Sequence, residues 1–423
     1  MTILLKPLLL ALALLGSPLF VVIVALALFS FHGAGIDPTV VVIEMSRLAD
    51  TPLLLSLPLF ILAGALLSES GAPSRLLALS RQVLGWLPGG LAVIALMVCA
   101  LFTAFTGATG ITIFALGGLL YPAMRKDGYS EHFSLGLITT SGSLGLLFPP
   151  SLPLILYGVI AETDIDQLFL AGLLPGLLML VLLALFSIWR GASLDLPEHE
   201  TGKPLPLATA LREAAWELPL PFIVLGGIYG GLFVVGEAAA VTALYVLVVE
   251  VFIYKDIQLR QVPGIMARSM ALFGGIFMVL AASMASTNYL VDQEVPMKLF
   301  DLIQAHITDR YTFLLLLNLF LLVVGMLLDI FSALVLVLPI ILPIANGYGI
   351  DPLHLGIIFL TNLQIGYCTP PVGLSLFLAS YRFEQPIGTI YRATMPFLLI
   401  LLLVLTLVTY LPELSLFLTE TRP

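Results

Sequence analysis

The sequence predicts an all-α polytopic membrane protein built as an inverted repeat, with two re-entrant helical hairpins and two broken helices. Three observations predict it. Of the 423 residues, 60% are hydrophobic and only 10% are charged, whereas soluble domains carry roughly 25% charged residues. The 17 Lys and Arg and 26 Asp and Glu cannot cover a globule of this length, so the chain is solvated mostly by lipid. Apolar runs recur at the roughly 20-residue length that a bilayer crossing needs. Finally, a set of helix breakers and hydroxyl residues appears twice at a fixed spacing.

In chain order, residues 1–190 form the first repeat. Scaffold helices occupy 1–70, beginning with an apolar run over 3–31 that holds one lysine, Lys6, and exceeds the length of a signal-peptide core. The stretch 73–87, with Arg75, Arg81 and Gln82 among leucines and Trp86, suits an arm lying in the membrane interface. A hairpin over 88–124, a crossing over 133–161 broken at Pro149-Pro150, and a crossing over 168–190 follow. The one long polar loop, 191–216, contains Asp195, Glu198, Glu200 and Lys203 and links the halves. Residues 217–423 hold a linking helix and the second repeat: arm 294–308, hairpin 309–345, broken helix 354–381 interrupted at Pro370-Pro371, and helix 388–411. Each hairpin is read as two half-depth helices. Nine crossings and two hairpins put the termini on opposite sides. A cytoplasmic N-terminus leaves every basic residue inside except Arg47, Lys298, Arg310 and Arg422, which predicts N-in, C-periplasmic and a cytoplasmic linker.

The repeat lies at an offset of 221: Pro122 with Pro343, Gly128 with Gly349, Thr140 with Thr361, Gly145 with Gly366, and Pro149-Pro150 with Pro370-Pro371. An odd number of crossings separates equivalent points, so the copies insert upside down relative to one another. Inverted repeats with discontinuous helices at corresponding positions point to a secondary transporter with a site between the repeats near the midplane. Lipid tolerates such breaks only beside protein or a cavity.

The chemistry concentrates at the same places. The first hairpin bends at Thr103–Gly110, where Thr106, Gly107 and Thr109 offer hydroxyls and exposed carbonyls, the oxygen ligands a hard monovalent cation needs. Facing them are Thr140, Ser141 and Ser143, just before Pro149 and Pro150. In the second copy Gly325, Asp329 and Ser332 form the bend, facing Thr361, Asn362, Gln364 and Gly366 and then Thr369, Pro370 and Pro371. Small-residue helix packing is the alternative use of such residues. Asp329 is the acidic residue placed near the membrane centre, where a charge is costly and marks cation or proton binding, or else caps the restarting helix. Glu69 and Glu250 fall at span ends, where they snorkel to the interface.

No Lys or Arg falls deep in a span. An anionic substrate is then held by half-helix N-termini, amides, hydroxyls and co-bound cations, which favours a cation-coupled carboxylate carrier over an arginine-clamped phosphate exchanger. The chain carries no HExxH, no aspartate pair and no Walker A run, so no enzyme is predicted. Without a basic stripe there is no nucleic-acid partner. Cys99 and Cys368 read as buried free thiols, and the five histidines are scattered singly.

These residues resemble the large membrane subunit of tripartite ATP-independent periplasmic (TRAP) transporters, the DctM-like family. The resemblance rests on GLLFPPSLPLILYG over 145–158, LFLAGLLPG over 168–176, IDPLHLGII over 350–358 and GYCTPPVG over 366–373, supported by IYGGL over 228–232 and GEAAAV over 236–241. It implies an elevator-type fold in the bacterial inner membrane and Na+-driven import of an organic acid of C4-dicarboxylate or sialic acid type, with no organic cofactor. It further implies a periplasmic substrate-binding protein and a separate small four-helix membrane subunit as partners. Sodium is then expected at Thr106, Gly107, Thr109, Thr140 and Ser141 in one half and at Gly325, Asp329, Thr361, Asn362 and Gly366 in the other. Substrate is expected at Ser143, Pro149, Pro150, Ser332, Thr369, Pro370 and Pro371. The first bend departs from the family's usual Ser-Gly-Ser-Ser, reading Thr-Gly-Ala-Thr, so Ala108 offers no side-chain ligand. The competing reading is a stand-alone cation-coupled di- or tricarboxylate symporter or exchanger of the same fold.

Overall fold

A computed structural model describes residues 17–49, 51–84, 89–192 and 207–420. The first part of the run over 3–31 with Lys6, the end of the first arm with Trp86, most of the linker with Asp195, Glu198, Glu200 and Lys203, and Arg422 lie outside the described residues.

Every described regular element is helical. The scaffold begins with α1 (Leu19–Gly33), α2 (Thr39–Ala49) and α3 (Ser56–Glu69). At Ser70-Gly71 the chain turns by 71° into the first arm, α4 (Ala72–Leu84), whose Ser74, Arg75, Arg81 and Gln82 share one face while Leu76, Leu77, Leu79 and Val83 form the other. Helices α5 (Gly90–Thr106), α6 (Thr109–Lys126), α7 (Glu131–Ser141), α8 (Leu152–Ala161) and α9 (Ile165–Ala192) complete the first half. After α10 (Leu207–Glu213) come α11 (Pro219–Tyr229), α12 (Val235–Val248), α13 (Val262–Asp292) and the second arm, α14 (Val295–Gln304). Helices α15 (Arg310–Leu327), α16 (Ile330–Gly347), α17 (Pro352–Gly366), α18 (Leu374–Phe383), α19 (Ile387–Tyr410) and α20 (Glu413–Glu420) follow.

The offset of 221 is written into the backbone. Helices α6 and α16 start at 109 and 330 and end at 126 and 347, and α7 and α17 start at 131 and 352. Gly128 and Gly349 both take positive φ, at 87° and 69°, as the turn after each hairpin requires, and Glu162 and Glu384 close α8 and α18 in the left-handed region. The caps also match: Ser130 accepts from Phe133 N–H at the start of α7, and Asp351 accepts from Leu353 and His354 N–H at the start of α17.

The copies exchange partners. Helix α16 of the second hairpin packs on α8 of the first broken helix, while α6 of the first hairpin packs on α18 of the second. Helix α19 lies along α7, α9 crosses α5, and the C-terminal α20 docks on α9. Around this body, α12 packs along α3, and α1 and α2 lie against the long α13. Outward-facing Phe222, Leu244 and Leu399 stand 76%, 63% and 60% exposed, the surface a lipid-solvated protein presents.

Among the described residues, six helices are long and apolar enough to cross a bilayer, or up to eight if each bent pair counts as one span, against the nine crossings expected of the whole chain. Part of the difference is backbone interruption: the expected linking helix after residue 217 stops at Gly230-Gly231, leaving α11 with 11 residues. Both hairpins also depart from half depth: α5 and α6 have 17 and 18 residues, and α15 and α16 have 18 each. At 1.5 Å per residue that is about 27 Å, close to the ~30 Å hydrocarbon thickness.

Glu250 does not snorkel. It is fully buried in a π-helical turn, 249–253, that ends α12. Arg75 of the first arm reaches across to it at 3.0 Å, to Asp256 at 2.5 Å and to Glu217, and its guanidinium lies 3.7 Å from the centre of the Tyr254 ring. Asp256 also accepts from Gly71 N–H at 2.8 Å. Burial raises the Asp256 pKa, but the hydrogen bonds from Arg75 and Gly71 outweigh it and hold the carboxyl below its ordinary value. Glu69 behaves as expected of a span end, exposed and paired with Arg268 at 2.5 Å.

Candidate functional site

In the first half, α5 ends at Gly107, whose left-handed backbone (φ 63°) returns its N–H to Thr103 O at 2.8 Å. A Cβ at Gly107 would collide with the side chain of Leu152, so glycine lets the bend sit against the first residue of α8. Thr103, fully buried, lies 2.7 Å from the Thr112 hydroxyl and donates to Gly142 O at 3.0 Å, which ties the bend to the end of α7. The Thr106 and Thr109 hydroxyls are buried and have no hydrogen-bond partner. Thr140 and Ser141 donate within their own helix, to Gly136 O at 2.8 Å and Ile138 O at 3.2 Å, which leaves their lone pairs free to accept.

The second half closes in the same way. A Cβ on Gly366 would fall 2.7 Å from both Cα and C of Gly325, so bend and broken helix meet backbone to backbone. The equivalent Gly145 faces Ala104 N and Ala100 O at similarly close range. One turn before Gly366, Asn362 donates its amide to Asn318 Oδ1 at 2.7 Å and Ile358 O at 2.8 Å, and its own Oδ1 has no partner. Thr361 Oγ1 is likewise buried without a partner. Asp329 stands apart from these groups. It is exposed and caps α16, accepting from Phe331 N–H at 3.0 Å, Ser332 N–H at 3.1 Å and the Ser332 hydroxyl. Asp329 and Ser332 line a cavity of about 350 Å³ against Gly275, Ile276 and Val279 of α13.

The two breaks touch. Cys368 Sγ lies 3.9 Å from Thr139 O and against Ser143 and Ser375. Ser143 donates to Thr140 O at 3.3 Å and Thr369 to Ile365 O at 2.8 Å. Pro149 and Pro150 are buried, Thr369 and Pro370 half-buried, and Pro371 exposed with its carbonyl accepting from Tyr391. The seven expected substrate residues therefore do not share one accessible surface: Ser143, Pro149 and Pro150 sit inside, while Ser332 opens toward α13.

Ser375 and Asn318 escape a motif search, whereas Gln364 falls on the segment expected to face the second bend. Gln364 Oε1 and Ser375 Oγ are buried without partners, and Asn318 holds Asn362. Asn318 does carry a signal, as the lone amide within the apolar run 313–327. Arg382 also reaches further in than its place in the sequence suggests. Its Nε donates to Phe114 O at 3.0 Å, through a notch left by Gly118. That carbonyl is five residues, about 7.5 Å of helix, from the first bend. A cavity of about 510 Å³ opens there beside Ser380 and Tyr381.

Comparison with known proteins agrees with this architecture. Residues 7–414 match the model of the tripartite ATP-independent periplasmic transporter, DctM component. The C4-dicarboxylate TRAP transporter large permease protein DctM of Pseudomonas aeruginosa is 35% identical over 374 residues, 88% of each chain. The isethionate TRAP transporter permease protein DctMQ of Oleidesulfovibrio alaskensis is 33% identical over 95% of this chain and 64% of its own length. The ectoine TRAP transporter large permease protein TeaC of Halomonas elongata is 30% identical over 99% of both. In fold, the chain resembles the YdaH transporter of Alcanivorax borkumensis, with a TM-score of 0.63 over 91% of this chain and 88% of that one at 16% identity. These relatives are named as transporter components and not as enzymes. With the family model matched from 7 to 414 and relatives above 30% identity along most of the chain, the protein belongs to the DctM family, the large permease components of tripartite ATP-independent periplasmic transporters.

Proposed function

We propose that this chain moves a small organic acid across the bacterial inner membrane, coupled to Na+, by an elevator-type displacement. The hairpins and broken helices form the moving body, and α1–α3 and α11–α13 the fixed frame. The observation that carries this reading is the set of buried oxygens without partners, Thr106 and Thr109 at the first bend and Thr361 and Asn362 in the second broken helix. A buried polar oxygen that accepts nothing is costly, and a desolvated monovalent cation is the ligand that several such oxygens and nearby carbonyls satisfy together. Gly107, Thr140 and Ser141 supply further oxygens in the first half, and Gly325 and Gly366 supply carbonyls in the second.

The helix restarts at α8 and α18 present N–H groups and the positive end of the helix dipole to an acid group, and bound Na+ adds positive charge. Thr369, Pro370 and Pro371 lie before the α18 restart, Ser143, Pro149 and Pro150 are buried before the α8 restart, and Asp329 with Ser332 faces the frame across the cavity at α13. A periplasmic binding protein delivers the substrate and a small four-helix subunit braces the frame, with the N-terminus cytoplasmic and the C-terminus periplasmic.

Uptake into proteoliposomes containing this chain, the small subunit and the binding protein tests the reading, with labelled succinate, isethionate and ectoine as probes. Uptake of one probe is expected to require an inward Na+ gradient and the binding protein. Uptake undiminished when choline replaces Na+ would overturn the coupling, and uptake without the binding protein would favour the stand-alone carrier.

A further inference from the structure

We propose that Asn318 is a positioning residue for cation binding in the second half: by accepting from the Asn362 amide, it turns Asn362 Oδ1 outward as a ligand. This rests on the Na+-coupled reading above and adds residues that no motif points to.

The argument is one of hydrogen-bond polarity. A carboxamide has one donor end and one acceptor end. The donor end of Asn362 is claimed twice, by Ile358 O at 2.8 Å and by Asn318 Oδ1 at 2.7 Å. Rotating the amide by half a turn would set its oxygen against both of these acceptors, so the orientation is fixed. Asn362 Oδ1 is then held facing away from both, fully buried and without a donor. Ile358 O, a pure acceptor, selects the donor end, and Asn318 Oδ1 supplies the matching acceptor from a different helix, holding the amide from both sides.

Asn318 is itself held. Its Nδ2 donates to Thr409 Oγ1 at 2.9 Å on α19. The carbonyl of Thr409 lies 3.3 Å from His354 Nε2, and His354 Nδ1 lies 3.2 Å from Ser415 Oγ on α20. A buried polar chain thus runs from Asn362 through Asn318 and Thr409 to His354 and Ser415. The first half has no such chain: Met97, Phe133 and Ser141 occupy the positions equivalent to Asn318, His354 and Asn362. There the oxygens without partners sit on the bend, at Thr106 and Thr109, and need no second helix to aim them.

The test is Na+ binding to the purified complex of this chain with its small subunit, read as the Na+-dependent rise in melting temperature and by calorimetry, with choline keeping ionic strength constant. Asn318→Leu, similar in shape but with no acceptor, is expected to raise half-saturating Na+ about tenfold, the scale of one lost orienting hydrogen bond. In an Asn362→Ala background it should cause no further shift, whereas Thr106→Val should still add its own effect. A merely structural role would lower the melting temperature and leave the Na+ titration unchanged. An unchanged titration in Asn318→Leu, or additive effects with Asn362→Ala, overturns the proposal. If Asn318→Leu does not fold, Thr409→Val removes only the outer hydrogen bond and should raise half-saturating Na+ a few-fold; no shift there is equally adverse. A wild-type complex indifferent to Na+ overturns the coupling reading, and this proposal with it.

Discussion

A buried hydroxyl without a partner costs about 1–3 kcal/mol, and that cost makes Thr106 and Thr109 testable one residue at a time. Thr→Val at either position keeps the shape and removes the oxygen. In Na+-free buffer each variant is expected to melt at or above the wild-type temperature, and in Na+ each should lose the salt-specific gain that wild type shows. A loss of stability equal in both buffers would instead identify the threonines as packing residues. Asp329 separates charge from shape in the same way. Its carboxylate caps α16 through Phe331 and Ser332 N–H, a task Asn performs almost equally well. Asp329→Asn is expected to keep its melting temperature and to change the Na+ dependence of uptake, whereas Asp329→Ala should also lose about 1 kcal/mol of cap. An unchanged Na+ dependence in the Asn variant would leave capping as the residue's whole role.

Between elements, the informative contacts are those where backbone meets backbone. Gly64 of α3 is such a point, since a Cβ there would fall 2.7 Å from Phe105 O and Thr106 Cα at the first bend. Neither atom can swing aside as a side-chain end can. If the hairpin moves past α3 during transport, Gly64→Ala disturbs one position of that contact and not the other. It is therefore expected to slow uptake at least several-fold while the complex still assembles, and normal uptake would argue against motion at this contact. The pair Gly325 and Gly366 lies inside the proposed moving body, so Gly366→Ala is expected to cost assembly itself, read as loss of a monodisperse complex.

Across the whole molecule, frame and arm are joined by one cation among three carboxylates. Arg75 belongs to the arm, while Glu217, Glu250 and Asp256 belong to the frame, and Glu250 and Glu217 are almost wholly buried. Removing the partner of a buried charge typically costs about 3–5 kcal/mol. Arg75→Met is expected to destabilise on that scale, measured by thermal melting of the detergent-solubilised complex. Because Asp256 titrates below the ordinary carboxylate range, its contribution is present above about pH 4 and fades as pH falls through its folded pKa. Asp256→Asn should therefore destabilise at pH 7, and its difference from wild type should shrink as pH falls below about 4. The second arm has no counterpart to this clamp among the described residues: Lys298 donates to Gln293 O at 2.8 Å within its own turn.

The sequence by itself determined the membrane class, the duplication, the helix breaks and most of the oxygens at them. Those follow from composition, from proline and glycine chemistry, and from a spacing of 221 that any alignment of the chain with itself exposes. Only the tertiary structure decided which oxygens lack partners, because a threonine that bonds its own helix, such as Thr140, and one that does not, such as Thr361, look alike in sequence. It also decided the fate of the charges. Glu250 sits at a span end like Glu69, yet Arg75 reaches it from 175 residues away and draws it inside. Asp329, the acid that sequence placed at the centre, turns to the surface as a cap. Burial and hydrogen-bond polarity belong to pairs of groups distant along the chain, and a linear pattern records each member of such a pair without the other.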